Sequence, residues 1–211
     1  MFYEPKNGTS LPHNPLKAIV VPRPIGWIST IGANGISNLA PYSFFNFVAE
    51  DPPQVMFSAT SNHIHGGLKD AVTDIQNNGE FVINVATWDL REQMNASSIE
   101  APPEVDEFTY AKLTKEESIL VKCPRVAESP IHLECRYIQS TDMLSNNVDD
   151  RSTVVFGEVI GVHIKNEFLT DGKIDFYKMR VIGRLGYQEY VEVNNTFTMT
   201  RPPNWSEPDR S

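Results

Sequence analysis

The chain has 211 residues, 40% of them apolar and 21% charged, with a formal net charge of −9 at pH 7. That length suits one domain with a full core, and that composition excludes a disordered chain. The acidic balance argues against nucleic acid as a partner, because a phosphate backbone selects clustered Lys and Arg, but a small anionic ligand held by local donors stays possible.

Residues 1–15 are rich in Pro, Asn and Gly and read as an N-terminal arm. The chain opens without a basic start or a long apolar run, and no stretch approaches the ~18 apolar residues of a membrane span. Two cysteines, Cys123 and Cys135, make no disulfide framework. The expectation is a cytoplasmic protein off the membrane.

Residues 16–21 form a short apolar run stopped by Pro22 and Pro24. Residues 25–31 and 36–41 flank Asn34-Gly35, whose tolerance of positive φ suits a tight reversal, so they read as a hairpin. The aromatic stretch 42–48 continues the sheet after a bend at Pro41, and residues 54–59 make a further strand. Leu68, Val72 and Ile75 lie on one helical face; Ser61 or Asn62 can cap the entry, and Asn77-Asn78-Gly79 ends the helix. Residues 81–86 read as a strand, and 87–94 as a second helix with Thr87 at its N-cap and Asp89 in its first turn. Further strands are expected over 119–121, 131–139, 153–164 and 185–193. Residues 99–117 and 140–151 read as irregular, and 201–211 as a tail. Residues 16–200 therefore form one domain, a β barrel decorated by short helices rather than a doubly wound parallel sheet.

Most common chemistry-bearing motifs are missing. No G-x-G-x-x-G, Walker A, H-E-x-x-H or G-x-S-x-G pattern occurs. His63 with His65, and Cys123 with His132 and Cys135, are spaced too loosely for a zinc tetrad, and buried small thiols explain the cysteines. No metal is expected.

Two stretches stand out. From Ser58 to Thr73 a strand ends in hydroxyl-bearing residues, and a Gly66-Gly67 loop leads to Lys69 at a helix start. Free helix N–H groups, hydroxyls and an ammonium favour a phosphate, and Thr73 lies one turn beyond Lys69. Ordinary capping with a solvated Lys69 explains the same spacing. In Asn38-Leu-Ala-Pro-Tyr-Ser-Phe-Phe-Asn-Phe, Pro41 lacks an N–H and frees nearby backbone from the ladder. A flat aromatic ligand uses such an edge, but taken alone the stretch reads better as a core strand with aromatic packing.

Taken in order, several segments resemble the flavin reductase-like family, the FMN-binding split β-barrels, in its Pro-Arg-Pro-Ile branch. They are residues 22–30 (PRPIGWIST), 38–46 (NLAPYSFFN), 51–58 (DPPQVMFS), 69–73 (KDAVT) with 79–85 (GEFVINV), 155–159 (VFGEV) and 183–187 (GRLGY). The resemblance implies a mainly β, Greek-key split barrel with a few short peripheral helices. It implies a homodimer with one FMN per subunit near the dimer interface. By motif match, Ser29 and Thr30 line the ribityl or phosphate side. Asn38, Leu39, Ala40, Pro41, Tyr42 and Ser43 supply contacts to the isoalloxazine. Ser58, Ala59 and Thr60 approach the ribityl phosphate, and Lys69 with Thr73 holds it. Trp27 packs near the ring or in the core.

FMN would carry the redox chemistry, with hydride passing between a nicotinamide and the flavin, so no catalytic general base is called for. The leading expectation is an NAD(P)H-dependent flavin oxidoreductase with NADH or NADPH as co-substrate. The alternatives are a flavoprotein oxygenase component, or an FMN-binding electron carrier or sensor working with a redox partner protein.

Overall fold

The computed structural model describes residues 1–147 and 150–202. The tail expected over 201–211 lies, after its first two residues, outside the described residues. In chain order the elements are α1 (Leu16–Ile19), β1 (Gly26–Ile31), β2 (Ser37–Tyr42), β3 (Phe45–Glu50), β4 (Pro53–Thr60), α2 (Asp70–Asn78), β5 (Glu80–Val85), α3 (Arg91–Ala96) and α4 (Glu107–Tyr110). There follow β6 (Lys115–Glu116), β7 (Arg125–Val126), β8 (Ile131–Asp142), β9 (Ser152–Ile164), β10 (Leu169–Thr170), β11 (Lys173–Ile174), α5 (Phe176–Met179), β12 (Ile182–Arg184) and β13 (Tyr190–Glu192).

Seven strands form one antiparallel sheet in the order β2-β1-β5-β8-β9-β4-β3. Its two outermost strands are consecutive in the chain, joined by Ser43 and Phe44 alone. Laid flat, strands six places apart sit roughly 29 Å from each other at 4.8 Å per strand. The three Cα steps from Tyr42 to Phe45 span at most about 11 Å. The sheet must therefore curl until its ends meet, which makes it a barrel. This is the mainly β architecture with short peripheral helices that the sequence leads one to expect.

The β1–β2 hairpin forms as expected, with Gly35 at φ 79° and the Asn34 side-chain oxygen accepting from Ile36 N. β1 is buried on both faces. Ile28 points into the barrel with Phe57, Phe81, Ile83, Cys135 and Val155, where α2 adds Ala71, Val72 and Ile75. Trp27 points outward into a second cluster with Leu39, Met94 and Phe108, contributed by β2, α3 and α4. α2 ends at Gly79 in the left-handed conformation, as its Asn-Asn-Gly terminus predicts.

The run 16–21 contains a helical turn, α1, and the carbonyls of Lys17 and Val20 accept from the Arg23 guanidinium. Five local expectations are corrected. α2 begins at Asp70, later than Ser61 or Asn62 would cap, and Lys69 occupies the cap position with no side-chain bond to the helix. Thr87 leads into a 3-10 turn over Trp88–Leu90 before α3 begins, and it makes no side-chain cap. Residues 119–121 are not a strand. Their three N–H groups all donate to the buried Glu134 carboxylate, which a ladder pairing would forbid. Within 185–193 only Tyr190–Glu192 pairs, because 185–189 closes as a turn through Leu185 N to Glu189 O. The stretch 99–117 also holds two short elements, α4 and β6.

Candidate functional site

The main cleft, about 500 Å³, opens beside β2. Asn38, Ala40, Pro41 and Tyr42 of β2, with Ser43 and Phe44 after it, form one wall. Ser58 and Thr60 at the end of β4, His63, and Lys69 with Asp70 at the start of α2 form another. Ser97 to Ala101 and Glu107 of α4 close the side, and Asn14, Lys17, Arg23, Arg184 and Tyr187 form the remaining rim. A cleft of this size falls within the range that holds a cofactor-sized ligand, about 300–1,000 Å³.

β2 lies at the sheet's edge, so alternate backbone groups point away from β1. Leu39 uses its outward N–H on the Glu107 carboxylate, 3.0 Å away. Pro41, two residues on and facing the same way, has no N–H to give. The exposed edge is thus rich in carbonyl and side-chain groups over Asn38 to Ser43.

Eight of the residues singled out from sequence line this cleft: Asn38, Ala40, Pro41, Tyr42, Ser43, Ser58, Thr60 and Lys69. Six lie elsewhere. Trp27 is fully buried and donates its indole N–H to Ser97 Oγ at 2.8 Å. Ser29 Oγ donates to Pro124 O at 2.6 Å and accepts from Asn84. Thr30 Oγ1 donates to Asp74 Oδ2 at 2.7 Å. Leu39 and Ala59 are core side chains. Thr73 is exposed on the far side of α2, beside a smaller groove with Gly32 and Asn34. The one-turn spacing from Lys69 fails because α2 starts only after Lys69, so that residue is off the helical face that Thr73 shares.

The charges in the cleft are uneven. Lys69 Nζ sits 2.5 Å from Glu100 Oε1. Burial raises the Asp70 carboxyl above the usual carboxylate range, against the pull of His63 and Lys69; His63 Nε2 lies 3.7 Å away. The loop before it turns tightly through Gly66 and Gly67, both with positive φ, and His63 N donates to Gly67 O. Arg23 is 7% exposed and spends its donors on structure: the carbonyls of Lys17, Val20 and Leu185, and Ser43 Oγ. Burial, then the neighbouring Arg184, lowers its pKa. Arg184 lies over the Tyr190 ring, 4.4 Å from its centroid, and donates to Tyr187 O.

Sequence reasoning passed over Glu107. It is 3% exposed, and burial pushes its carboxyl up to about 7, the N–H of Leu39 acting the other way and Asp70 and Asp106 adding to the rise. The signal for it is the preceding Asp106, which accepts from Phe108 N and Thr109 N as an N-cap and so turns an apparently irregular stretch into α4. Asn14, Lys17 and residues 97–101 were also missed, and no pattern in the chain marks them.

A family model described as flavin reductase like domain matches residues 19–180. An uncharacterized protein of Aquifex aeolicus (strain VF5) is 41% identical over 178 residues, covering 82% of this chain and 86% of that protein. Among solved structures, component B of nitrilotriacetate monooxygenase from Bacillus cereus superposes with a TM-score of 0.87 at 26% identity, over 94% of this chain and 98% of that one. An FMN-binding domain of a flavin reductases-like enzyme from Shewanella baltica OS155 aligns with a TM-score of 0.67 at 18% identity, over 84% and 89% of the two chains. The last likeness is one of fold.

Proposed function

The chain belongs to the flavin reductase-like family, and from that premise we propose that it binds FMN in the cleft beside β2 and works as a nicotinamide-dependent flavin oxidoreductase. The observation that carries this reading is the cleft itself: one wall is a strand edge freed by Pro41, and its opposite end gathers Ser58, Thr60 and Lys69. The first suits the polar edge of a flat ring, and the second suits a phosphate. The buried, unpaired Asn38 Oδ1 in the same wall fits a ligand that carries an N–H.

Bound FMN supplies a hydride acceptor, which the chain's own side chains lack. Ser58 and Thr60 present hydroxyls to the ribityl phosphate, and Lys69 supplies the charge, turning from Glu100 or sharing it. Asn38, Ala40 and Ser43 orient the ring along β2. Arg23 ties the end of α1 and Leu185 together at the cleft rim. The reading includes a homodimer, supported by the exposed apolar side chains of Ile19, Val20, Phe47 and Val48 near the chain's edge elements.

The test is spectroscopic. Purified protein titrated with FMN gains a saturable, perturbed flavin spectrum, and anaerobic NADH or NADPH bleaches it. Lys69→Ala weakens FMN about tenfold or more while leaving riboflavin affinity unchanged, as loss of a charge-assisted contact requires. Colourless protein that ignores FMN in equilibrium dialysis refutes the reading. A second reading is favoured by the likeness to a monooxygenase component B: the reduced flavin passes to a separate oxygenase. Release of reduced flavin into solution during turnover supports it, and retention through many turnovers refutes it.

A further inference from the structure

This inference rests on the reading that a flavin occupies the cleft. Of the buried side-chain atoms without a hydrogen-bond partner among the described residues, Asn38 Oδ1 is the one that belongs to a residue lining the cleft. A buried acceptor left unpaired is unfavourable, and an N–H on the cleft's occupant removes that cost.

The orientation of the amide is set from behind. Asn38 Nδ2 donates to Glu107 Oε2 at 3.3 Å, and the same oxygen accepts from Leu39 N at 3.0 Å. An ionised carboxylate can only accept, so it takes the NH₂ side of the amide and leaves the carbonyl side unpaired. A neutral carboxyl also carries an O–H. It can serve the amide turned by 180°, which leaves the NH₂ side unpaired instead.

We propose that Glu107 is a positioning residue whose ionised form fixes the Asn38 amide with its oxygen toward the cleft, so that the site selects a ring ligand through an N–H flanked by carbonyl groups. The imide edge of the isoalloxazine has that chemistry. The charges facing Glu107 are Asp70 from α2 and Asp106 from its own helix, both acids, and Asp106 is paired with Lys115 at 2.5 Å. Tyr42 of β2 is a further titratable neighbour, and burial followed by Asp70 and Glu107 keeps it protonated. With burial holding the Glu107 carboxyl near 7, both states are populated at neutral pH. A ligand that prefers the ionised state must then, by linkage, send a proton from Glu107 to the buffer when it binds.

The experiment uses the full chain, FMN and N3-methyl FMN. Calorimetric titration at pH 7 in two buffers of different ionisation enthalpy reads the proton count, and release of roughly half a proton per FMN is expected for a group titrating near that pH. At pH 8, N3-methyl FMN binds about tenfold more weakly than FMN, and at pH 5.5 the gap falls below about threefold. In Glu107→Gln, Leu39 N–H can only donate, so it holds the Gln oxygen in place and the discrimination becomes the same at both pH values. Proton uptake on FMN binding, or equal affinity for the two flavins at pH 8, overturns the inference while flavin binding stands. Absence of FMN binding at every pH refutes the proposed function as well.

Discussion

Glu107 makes a prediction about the unliganded fold that needs no flavin. Burial raises its carboxyl from 4.5 to about 7, so the folded state binds this proton more tightly than the unfolded chain does. Its contribution is therefore fully present below pH 4.5, declines as the pH climbs, and is lost once the pH passes about 7. That rise corresponds to at most about 3 kcal/mol, and solvent in the open cleft lowers the expectation to about 2 kcal/mol. Glu107→Gln removes the ionisation and keeps an acceptor for Leu39 N. For a domain of this size about 2 kcal/mol moves the midpoint of thermal unfolding by roughly 4–8 °C. The variant should melt that much higher than the parent at pH 8.5 and within about 1–2 °C of it at pH 4.5. Scanning calorimetry of both proteins at the two pH values, at one protein concentration, reads the difference directly. A constant offset across pH, or a variant less stable at pH 8.5, refutes the assignment of a buried carboxyl with a raised pKa.

Glu134→Ala leaves the N–H groups of Ile119, Leu120 and Val121 without their acceptor, so hydrogen exchange at these amides should rise, with about 3 kcal/mol of stability lost; unchanged protection there contradicts the role given to Glu134. Gly157→Ala places a methyl carbon 2.6 Å from Phe81 Cε1 in the barrel interior, and urea unfolding should show a loss of about 1–3 kcal/mol. His132 is buried, with Nε2 donating to Val126 O at 2.8 Å, and burial lowers its pKa from 6.5 to about 4. It contributes stability above pH 6.5 that is lost as the pH falls through 4, and nitrogen NMR should find it neutral with the proton on Nε2 at pH 5.5; an imidazolium signal there contradicts the burial argument.

Local signals carried the parts of the fold that short-range physics controls. Asn34-Gly35 specifies a reversal whatever lies around it, and the β1–β2 hairpin follows. Val72 and Ile75 with Asn77-Asn78-Gly79 specify a helix face and its end. The failure at 119–121 has its cause in another element. Residues 119–121 have the apolar run of a strand, yet Glu134 on β8 takes their N–H groups. That outcome does not show in periodicity, because it depends on a charged side chain that the sheet brings to them. The failure at 185–193 is local, since Leu185 N closes a turn on Glu189 O and leaves only the later residues to pair.

The candidate site divides along the same line. Its β2 wall and the Ser58-to-Lys69 end come from continuous stretches, which the resemblance to the family, more than residue types alone, picks out. Ser29 and Thr30 match the same family motif and still face away, since a hydroxyl in a strand serves whichever side the alternation gives it. Ser29 falls on the outer face of β1 toward Pro124, and Thr30 on the opposite face toward Asp74. Glu107 shows the converse. It sits in a polar stretch whose one local signal is the Asp106 N-cap, and it gains its role from β2, an edge strand with an N–H to place at Leu39. Among the described residues β2 pairs only with β1 and keeps a free edge where the ends of the sheet meet, the Leu39 N–H on that edge requires an acceptor, and its acceptor is an acid whose carboxyl burial pushes up to about 7. The same covering that protects the edge thereby makes the cleft wall sensitive to pH.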